Sequence, residues 1–493
     1  MLKMQSAPYS FCHLNVFHYL RAMIIVATVL VYFLILYLLS RLTTRNSNND
    51  TFYRGNQRSP WYMVAFGMVG ASISGVTFVS VPGMVMKSDM TYMQTCIGFF
   101  FGYIVIATVL LPLYYRLNLT SIYSYLGQRF GRVSYKTGAS FFLLSKMTAA
   151  AARFYLVCVI LQNYVFDAVG VPFAVNVTMM VTLIWLYTRN GGIKTLVWTD
   201  SFQTFCMFSA LILIIINVVH SMNMSMADAV TLIKSDSHSR IFVFDDFISK
   251  QNFFKQFFSG VFIAVVMTGL DQGMMQKNLT CKTLREAQKD MCSYGFCFIP
   301  ANLLFLSLGI LLMVYAHSKG VVLPQNGDDM LPMFAASGNL GVVVLILFTI
   351  GIMAAAFCSA DTALTALTTS YCVDIAEKQG DERLRKRMHI VMCGVFVVCI
   401  LLFKTFNSTG ILDAIYVLCS YTYGPLLGLF AFGLFTKRSV HDRFVPLIAV
   451  ASPIICYMIE ISASTFLGYK FGYEMLMLNG LLTFSGLYLI RRH

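Results

Sequence analysis

Runs of about twenty apolar residues follow one another from residue 22 to the carboxyl end, each long enough to cross a bilayer as a helix. Lipid offers no partner to backbone N–H and C=O groups, so such runs satisfy their own backbone as helices. The composition agrees. The 493 residues are 58% hydrophobic and 12% charged, whereas a soluble domain is about a quarter charged. Helices are expected near 22–40, 61–86, 94–115, 137–166, 172–188, 196–219, 254–276, 291–316, 338–372, 388–403, 411–435, 444–465 and 473–490. The fold class read from this is an all-α polytopic membrane protein of about 13 transmembrane helices, with no soluble module. The longest polar stretches, 222–250 and 319–337, are too small to be enzymes. The first 21 residues carry no cleavable leader pattern, and Met23 opens the first helix directly, so 1–22 reads as a candidate upstream extension.

The formal charge of +14 could point to nucleic acid, but its distribution points elsewhere. Thirteen spans put the two ends on opposite sides. With the amino terminus outside, the inner loops hold 24 of the 36 Lys and Arg, which is the positive-inside bias of a membrane protein. The expected topology is a multi-pass plasma (inner) membrane protein with its carboxyl terminus cytoplasmic. Its surroundings are the lipid bilayer, and neither a nucleic acid nor an oligomeric partner is required. The 13 cysteines are scattered, mostly within apolar spans and without a CxxC pair, so neither a zinc site nor a disulfide framework is indicated. There is no HExxH, no P-loop and no pairing of nucleophile with base. An enzyme is therefore not expected, and ATP is not the energy source.

Within the second span, GASISGVTF (70–78) puts Gly and Ser where a spanning helix normally carries Leu and Val. A helix written this way is built to come apart at mid-membrane, where secondary transporters hold ions and solutes. The thirteen spans parse as one leading helix within 1–60, ten core helices over 61–438 and two trailing helices over 439–493. The core divides into halves at 61–219 and 220–438. Five helices per half is odd, so the second half must be inverted, although no residue-level repeat supports the division. The polar segment 280–289 (TCKTLREAQK) is expected as a short amphipathic turn.

Four motifs occur in one order and spacing: GASISGVTF, VWTDSFQ (197–203), the 276–289 stretch ending in EAQK, and AAAFCSADTALTALTTSYCVD (354–374). GLFTKR (433–438) follows at the end of the tenth core helix. Over residues 61 to 438 this pattern resembles the sodium:solute symporter family, which includes sodium-coupled glucose, proline and sialic acid transporters. The resemblance implies a five-plus-five inverted repeat, a discontinuous first core helix and Na+ as the coupling ion.

Sodium is a hard cation that prefers oxygen, and a broken helix in lipid supplies bare carbonyls. Gly70 and Gly75 flank the expected break, and Ala355, Cys358, Ser359 and Thr362 share one face of a later helix. The family's pattern maps its sodium ligands onto the carbonyls of Gly70, Ile73 and Ala355 and the side chain of Ser359. Its second hydroxyl position falls on Cys358, a departure, because sulfur is a poor sodium ligand. Asp200, Asp361 and Thr362 are candidates for a second sodium, with an N-cap role open for Asp200. Asp271 is a further intramembrane carboxylate, read either as a solute contact or as a residue near an aqueous vestibule.

Lys146 and Arg153 lie seven residues apart on one helix face, with Arg153 near mid-membrane. An arginine there needs a carboxylate partner, a water-filled cavity or the solute itself. The sialic acid branch of the family places an arginine on this helix against the substrate carboxylate. Its other solute contacts correspond to Ser72, Ser74, Thr77 and Gln94. Glu460, outside the core, is expected to make a structural hydrogen bond. The function read from this is sodium-coupled import of a small organic solute by alternating access, best matched by a carboxylate-bearing solute such as sialic acid. The alternatives are a sodium symporter of a neutral sugar or amino acid, and a membrane sensor that binds solute without moving it.

Overall fold

The computed structural model describes residues 8–44, 48–167, 170–247, 249–336, 340–406, 411–469 and 471–492. The described residues are predominantly helical. Among the described residues the extended pairings amount to two isolated bridges, Ser59 with Cys281 and Val440 with Arg491. The leading helix α1 (Pro8–Thr43) is continuous across Met23, while residues 1–7 of the candidate extension lie outside the described residues. The second span forms two helices, α2 (Trp61–Ser72) and α3 (Gly75–Ser88), bent by 60°. After α4 (Tyr92–Arg116) come α5 (Arg132–Leu161), α6 (Phe173–Thr188) and α7 (Ile193–Ser221).

The region expected as one helix over 254–276 is also broken. It consists of α8 (Phe253–Gly269) and α9 (Gln272–Asn278), bent by 72°. The cause is local. Leu270 N–H reaches back to Val265 O in a widened turn, Asp271 is extended (φ −99°, ψ 117°), and its carboxylate caps α9 by accepting from Met274 N–H at 3.1 Å. The segment expected as a separate amphipathic turn at 280–289 is instead, from Leu284, the first turns of α10 (Leu284–Lys319), capped by Thr283. The remaining helices are α11 (Gly341–Ser370), α12 (Glu382–Phe406), α13 (Ile411–Phe435), α14 (Val445–Leu467) and α15 (Met475–Leu489).

Among the described residues nine helices are long and apolar enough to span, or eleven if each bent pair is one span. A count of thirteen also needs α6 and α15, which at 16 and 15 residues are shorter than a usual span. Glu460 of α14 accepts from Tyr421 Oη of α13, the structural role expected of it. The broken pair α2/α3 lies among α7, α10 and α11, while α5 packs on α13 and α11. Two interruptions, one heading each proposed half, therefore face the same interior.

Candidate sodium and solute site

The first break frees particular oxygens. A regular helix would bring Ser74 N–H to Gly70 O and Thr77 N–H to Ile73 O. Here Ser74 N–H donates to Ser72 O at 3.1 Å, and Thr77 N–H turns to Ser74 Oγ at 3.5 Å. The Gly70 and Ile73 carbonyls thus lose their helical donors. Gly70 is required for close approach, because a Cβ there would sit 1.9 Å from Thr204 Oγ1 of α7.

Across the break, Ser359 Oγ on α11 lies 3.1 Å from both Ala71 O and Ala355 O, so one hydroxyl ties the two helices together. Thr362 Oγ1 donates to Cys358 O at 2.8 Å. Cys358 faces away from the freed oxygens. Its sulfur is 3.9 Å from Gly67 O and lies beside Asp200.

A second buried cluster adjoins Cys358. Asp200 is fully buried within α7, well past the Gly192 cap, so it is not an N-cap. Its carboxylate is ion-paired with Lys277 of α9, which is 1% exposed. Asp361, also fully buried, accepts from Tyr187 Oη at 2.7 Å and from Thr362 Oγ1 at 3.4 Å. Lys277 was missed by the sequence reading, which counted it with an inner loop. The signal for it was the GLDQG string (269–273), whose break carries α9 back into the interior.

Beside the α2/α3 break lie two adjoining cavities of about 70 and 30 Å³. They share Ala71, Lys146, Arg153, Met267 and Met274. Lys146 Nζ binds both Asp271 oxygens at 3.0 and 2.8 Å, and Tyr423 Oη donates to the same carboxylate at 3.1 Å. Ser72 Oγ, Tyr294 Oη and Tyr103 Oη form a chain with links of 2.5 and 2.7 Å. Tyr103 and Tyr294 come from α4 and α10 and carry no motif that singles them out. Arg153 lines both cavities, and among the described residues it has no carboxylate partner. The buried carboxylates Asp200 and Asp361 are held instead by Lys277 and Tyr187.

Three residues expected against the solute do not line these cavities. Ser74 caps α3, and Thr77 is held in that cap. Gln94 accepts from Val243 N–H at 3.1 Å and donates to Gln251 O at 2.9 Å, so it anchors the segment between α7 and α8. Ser72, Arg153 and Asp271 are brought together, and Ser359 and Thr362 join them on the cavity wall.

The sodium/sialic acid symporter NanT of Aliivibrio fischeri is 25% identical over 418 residues, covering 80% of this chain and 79% of that protein. The sodium/sialic acid symporter SiaT of Proteus mirabilis is 24% identical, covering 86% and 84%. The solved structure of a Na+-coupled sialic acid symporter, in a substrate-bound outward-open state, superposes with a TM-score of 0.79 at 20% identity. That superposition covers 94% of this chain and 97% of the other, and it shows a shared transporter fold. The sequence model of the sodium:solute symporter family matches residues 52–442. The chain belongs to the sodium:solute symporter family, whose members couple solute transport to sodium.

Proposed function

We propose that this protein imports a small carboxylate-bearing solute together with sodium by alternating access. The observation that carries the reading is the juxtaposition of the α2/α3 break, which frees the Gly70 and Ile73 carbonyls near Ser359, with a cavity whose unmatched charge is Arg153. Lys146 and Asp271 cancel, so these groups leave the cavity one net positive charge. A carboxylate neutralises it, and the guanidinium fork binds carboxylates bidentately. Both bacterial relatives are named for sialic acid, itself an acid, which supports the reading.

Sodium is held by the Gly70, Ile73 and Ala355 carbonyls and by Ser359 Oγ, which turns its proton away from the Ala71 and Ala355 carbonyls to offer a lone pair. Binding fixes the end of α2, and Ser72 at that end lines the solute cavity, so ion occupancy orders the solute site. Lys277 pairs with Asp200, so Asp361, when ionised, adds a negative charge that this lysine does not balance. A second sodium is assigned to Asp361 and Thr362, with Asp200 already neutralised. Each net charge moved inward gains about 2.3 kcal/mol per 100 mV. At about 1.4 kcal/mol per tenfold ratio, that supports roughly fifty-fold accumulation, which two sodium ions per monoanion retain and one forfeits.

The same reading takes 1–60 as a leading segment, 61–219 and 220–438 as inverted halves, and 439–493 as a trailing pair. It sets the protein in the inner membrane with its amino terminus outside. The test is uptake into proteoliposomes under a sodium gradient, with choline as the control. Uptake of a carboxylate that needs sodium, carries inward current and is lost in Arg153→Gln is expected. Sodium-driven uptake of glucose or proline unaffected by Arg153→Gln would replace the carboxylate by a neutral solute. Sodium-dependent binding without flux would make the protein a sensor.

A further inference from the structure

A second polar site lies apart from the Arg153 cavity. The backbones of Gly83 on α3 and Gly327 meet so closely that a Cβ at Gly83 would lie 2.1 Å from Gly327 O. Both glycines line a recess of about 280 Å³, near the roughly 300 Å³ at which pockets begin to hold small organic ligands. It adjoins a second recess of about 120 Å³ and shares Gln251, Gln256 and Tyr473 with it. Neither recess shares a lining residue with the cavities around Arg153. Ser88 at the end of α3 and Tyr92 at the start of α4 stand on the wall, on the side that the charge distribution assigns to the outside.

The charge of the two recesses is positive in balance, with Lys87, Lys250 and Lys255 against Asp328 and Glu474. Glu474 already accepts from Tyr469 Oη at 2.7 Å, and Asp328 is 9% exposed. Lys255 sits over the Tyr469 ring, whereas Lys87 and Lys250 have no carboxylate partner among the described residues. Neutral donors are unspent as well. Ser80 Oγ on the wall of the larger recess and Ser259 Oγ on that of the smaller are buried, and neither has a hydrogen-bond partner among the described residues. Buried polar atoms without partners are rare, and each calls for a bound molecule or water. Gln251 Oε1 accepts from Thr91 Oγ1 at 2.9 Å, which leaves the amide NH₂ of that side chain unused among the described residues. An ammonium, an amide and a hydroxyl, all with donors to spare, therefore line one recess. An anion with several acceptor oxygens satisfies all three.

We propose that this outer recess is a waiting site, where the acid solute is held by Lys87, Gln251 and Ser80 before the Gly83–Gly327 contact parts and admits it to Arg153. The inference rests on the carboxylate reading of the Arg153 cavity and adds an earlier, separate site to it. A cleft with an excess of one charge sign concentrates the opposite ion and speeds its arrival by about tenfold or more. Capture acts on solute that has not yet reached the sodium-coupled site. The waiting site therefore sets how much solute half-saturates uptake, and leaves the rate at saturation and the sodium dependence alone.

The experiment uses full-length protein in proteoliposomes at fixed sodium, with radiolabelled sialic acid and pyruvate as two carboxylate probes. Lys87→Gln is expected to raise the KM of the transported acid about fivefold or more at low ionic strength, with the maximal rate unchanged. Added choline chloride is expected to shrink that difference below about twofold, because salt screens exposed charge. Lys87→Arg is expected to restore the KM. Lys319→Gln, at an exposed lysine that lines neither recess, is expected to leave it within about twofold. Binding separates the two sites. In sodium-free detergent solution, saturation-transfer NMR is expected to detect the acid on Arg153→Gln protein and to lose it when Lys87→Gln is added. An unchanged KM in Lys87→Gln, with Arg153→Gln alone removing all binding, overturns the waiting site and spares the carboxylate reading. Equal loss in Lys87→Gln and Lys319→Gln reduces the effect to overall charge and likewise overturns the site. Wild-type protein that binds neither acid, or carries one regardless of both Arg153→Gln and Lys87→Gln, overturns both readings.

Discussion

At the scale of single residues, Ser359 and Cys358 are neighbours with opposite expectations. Ser359 Oγ reaches both sides of the break, whereas the Cys358 sulfur points toward Gly67 and Asp200. Ser359→Ala is therefore expected to raise the sodium concentration for half-maximal uptake about tenfold or more, the loss of ~1.4 kcal/mol of ion binding. Cys358→Ser supplies a hard oxygen on the side turned toward Gly67 and away from the freed Gly70 and Ile73 carbonyls. It is expected to change sodium dependence by less than about twofold, or ~0.4 kcal/mol. A sodium titration of uptake separates the two, and a large gain of affinity in Cys358→Ser would put the thiol in the ion's shell after all. The departure from the family's hydroxyl was legible in the sequence, but its direction was not. Adjacent helix positions look the same in a string until the facing helix fixes which one meets the break. The ion pair of Asp200 with Lys277 was hidden for a related reason, since a lysine after an apolar run reads as the start of a loop.

At the scale of elements, the two breaks were unequally legible. GASISGVTF announces itself by losing Leu and Val over several positions. The α8/α9 break turns on one carboxylate, Asp271, which does three things. It caps α9, balances Lys146 and accepts from Tyr423. Lys146→Met removes the partner of a carboxylate that is 1% exposed, and orphaning such a charge costs about 3–5 kcal/mol. A clear drop in melting temperature is expected in detergent. Adding Asp271→Asn to that variant removes the stranded charge, and asparagine caps helices about as well as aspartate. The double variant is expected to recover most of the lost stability, although transport stays impaired. If the double variant melts no higher than the single one, the pair is not what holds α9 in place.

At the scale of the whole molecule, the decisive contact is between backbones, on the side that the charge distribution assigns to the outside. A Cβ at Gly83 of α3 would meet the Gly327 carbonyl at 2.1–2.3 Å, and one at Gly327 would meet Gly83 O at 2.5 Å. The outer end of the broken helix thus lies directly on the turn before Met330–Ala336, and the two glycines line a recess of about 280 Å³ together with Ser80, Lys87 and Asn326. Backbone cannot rotate out of the way as a side chain can, so a methyl group here must separate the two segments. Overpacking of this kind costs about 1–3 kcal/mol, and the cost falls only on the state in which α3 and the turn touch. Gly83→Ala is therefore expected to shift the population toward an outward-open form by roughly 5- to 140-fold. Hydrogen exchange would read this as faster exchange across 75–88 and 326–336, with α13 and α15 unchanged. Net uptake is expected to fall because the return to the closed state is penalised, while sodium still raises the melting temperature. Unaltered exchange at both segments, with normal uptake, would mean that the solute path does not close where Gly83 meets Gly327.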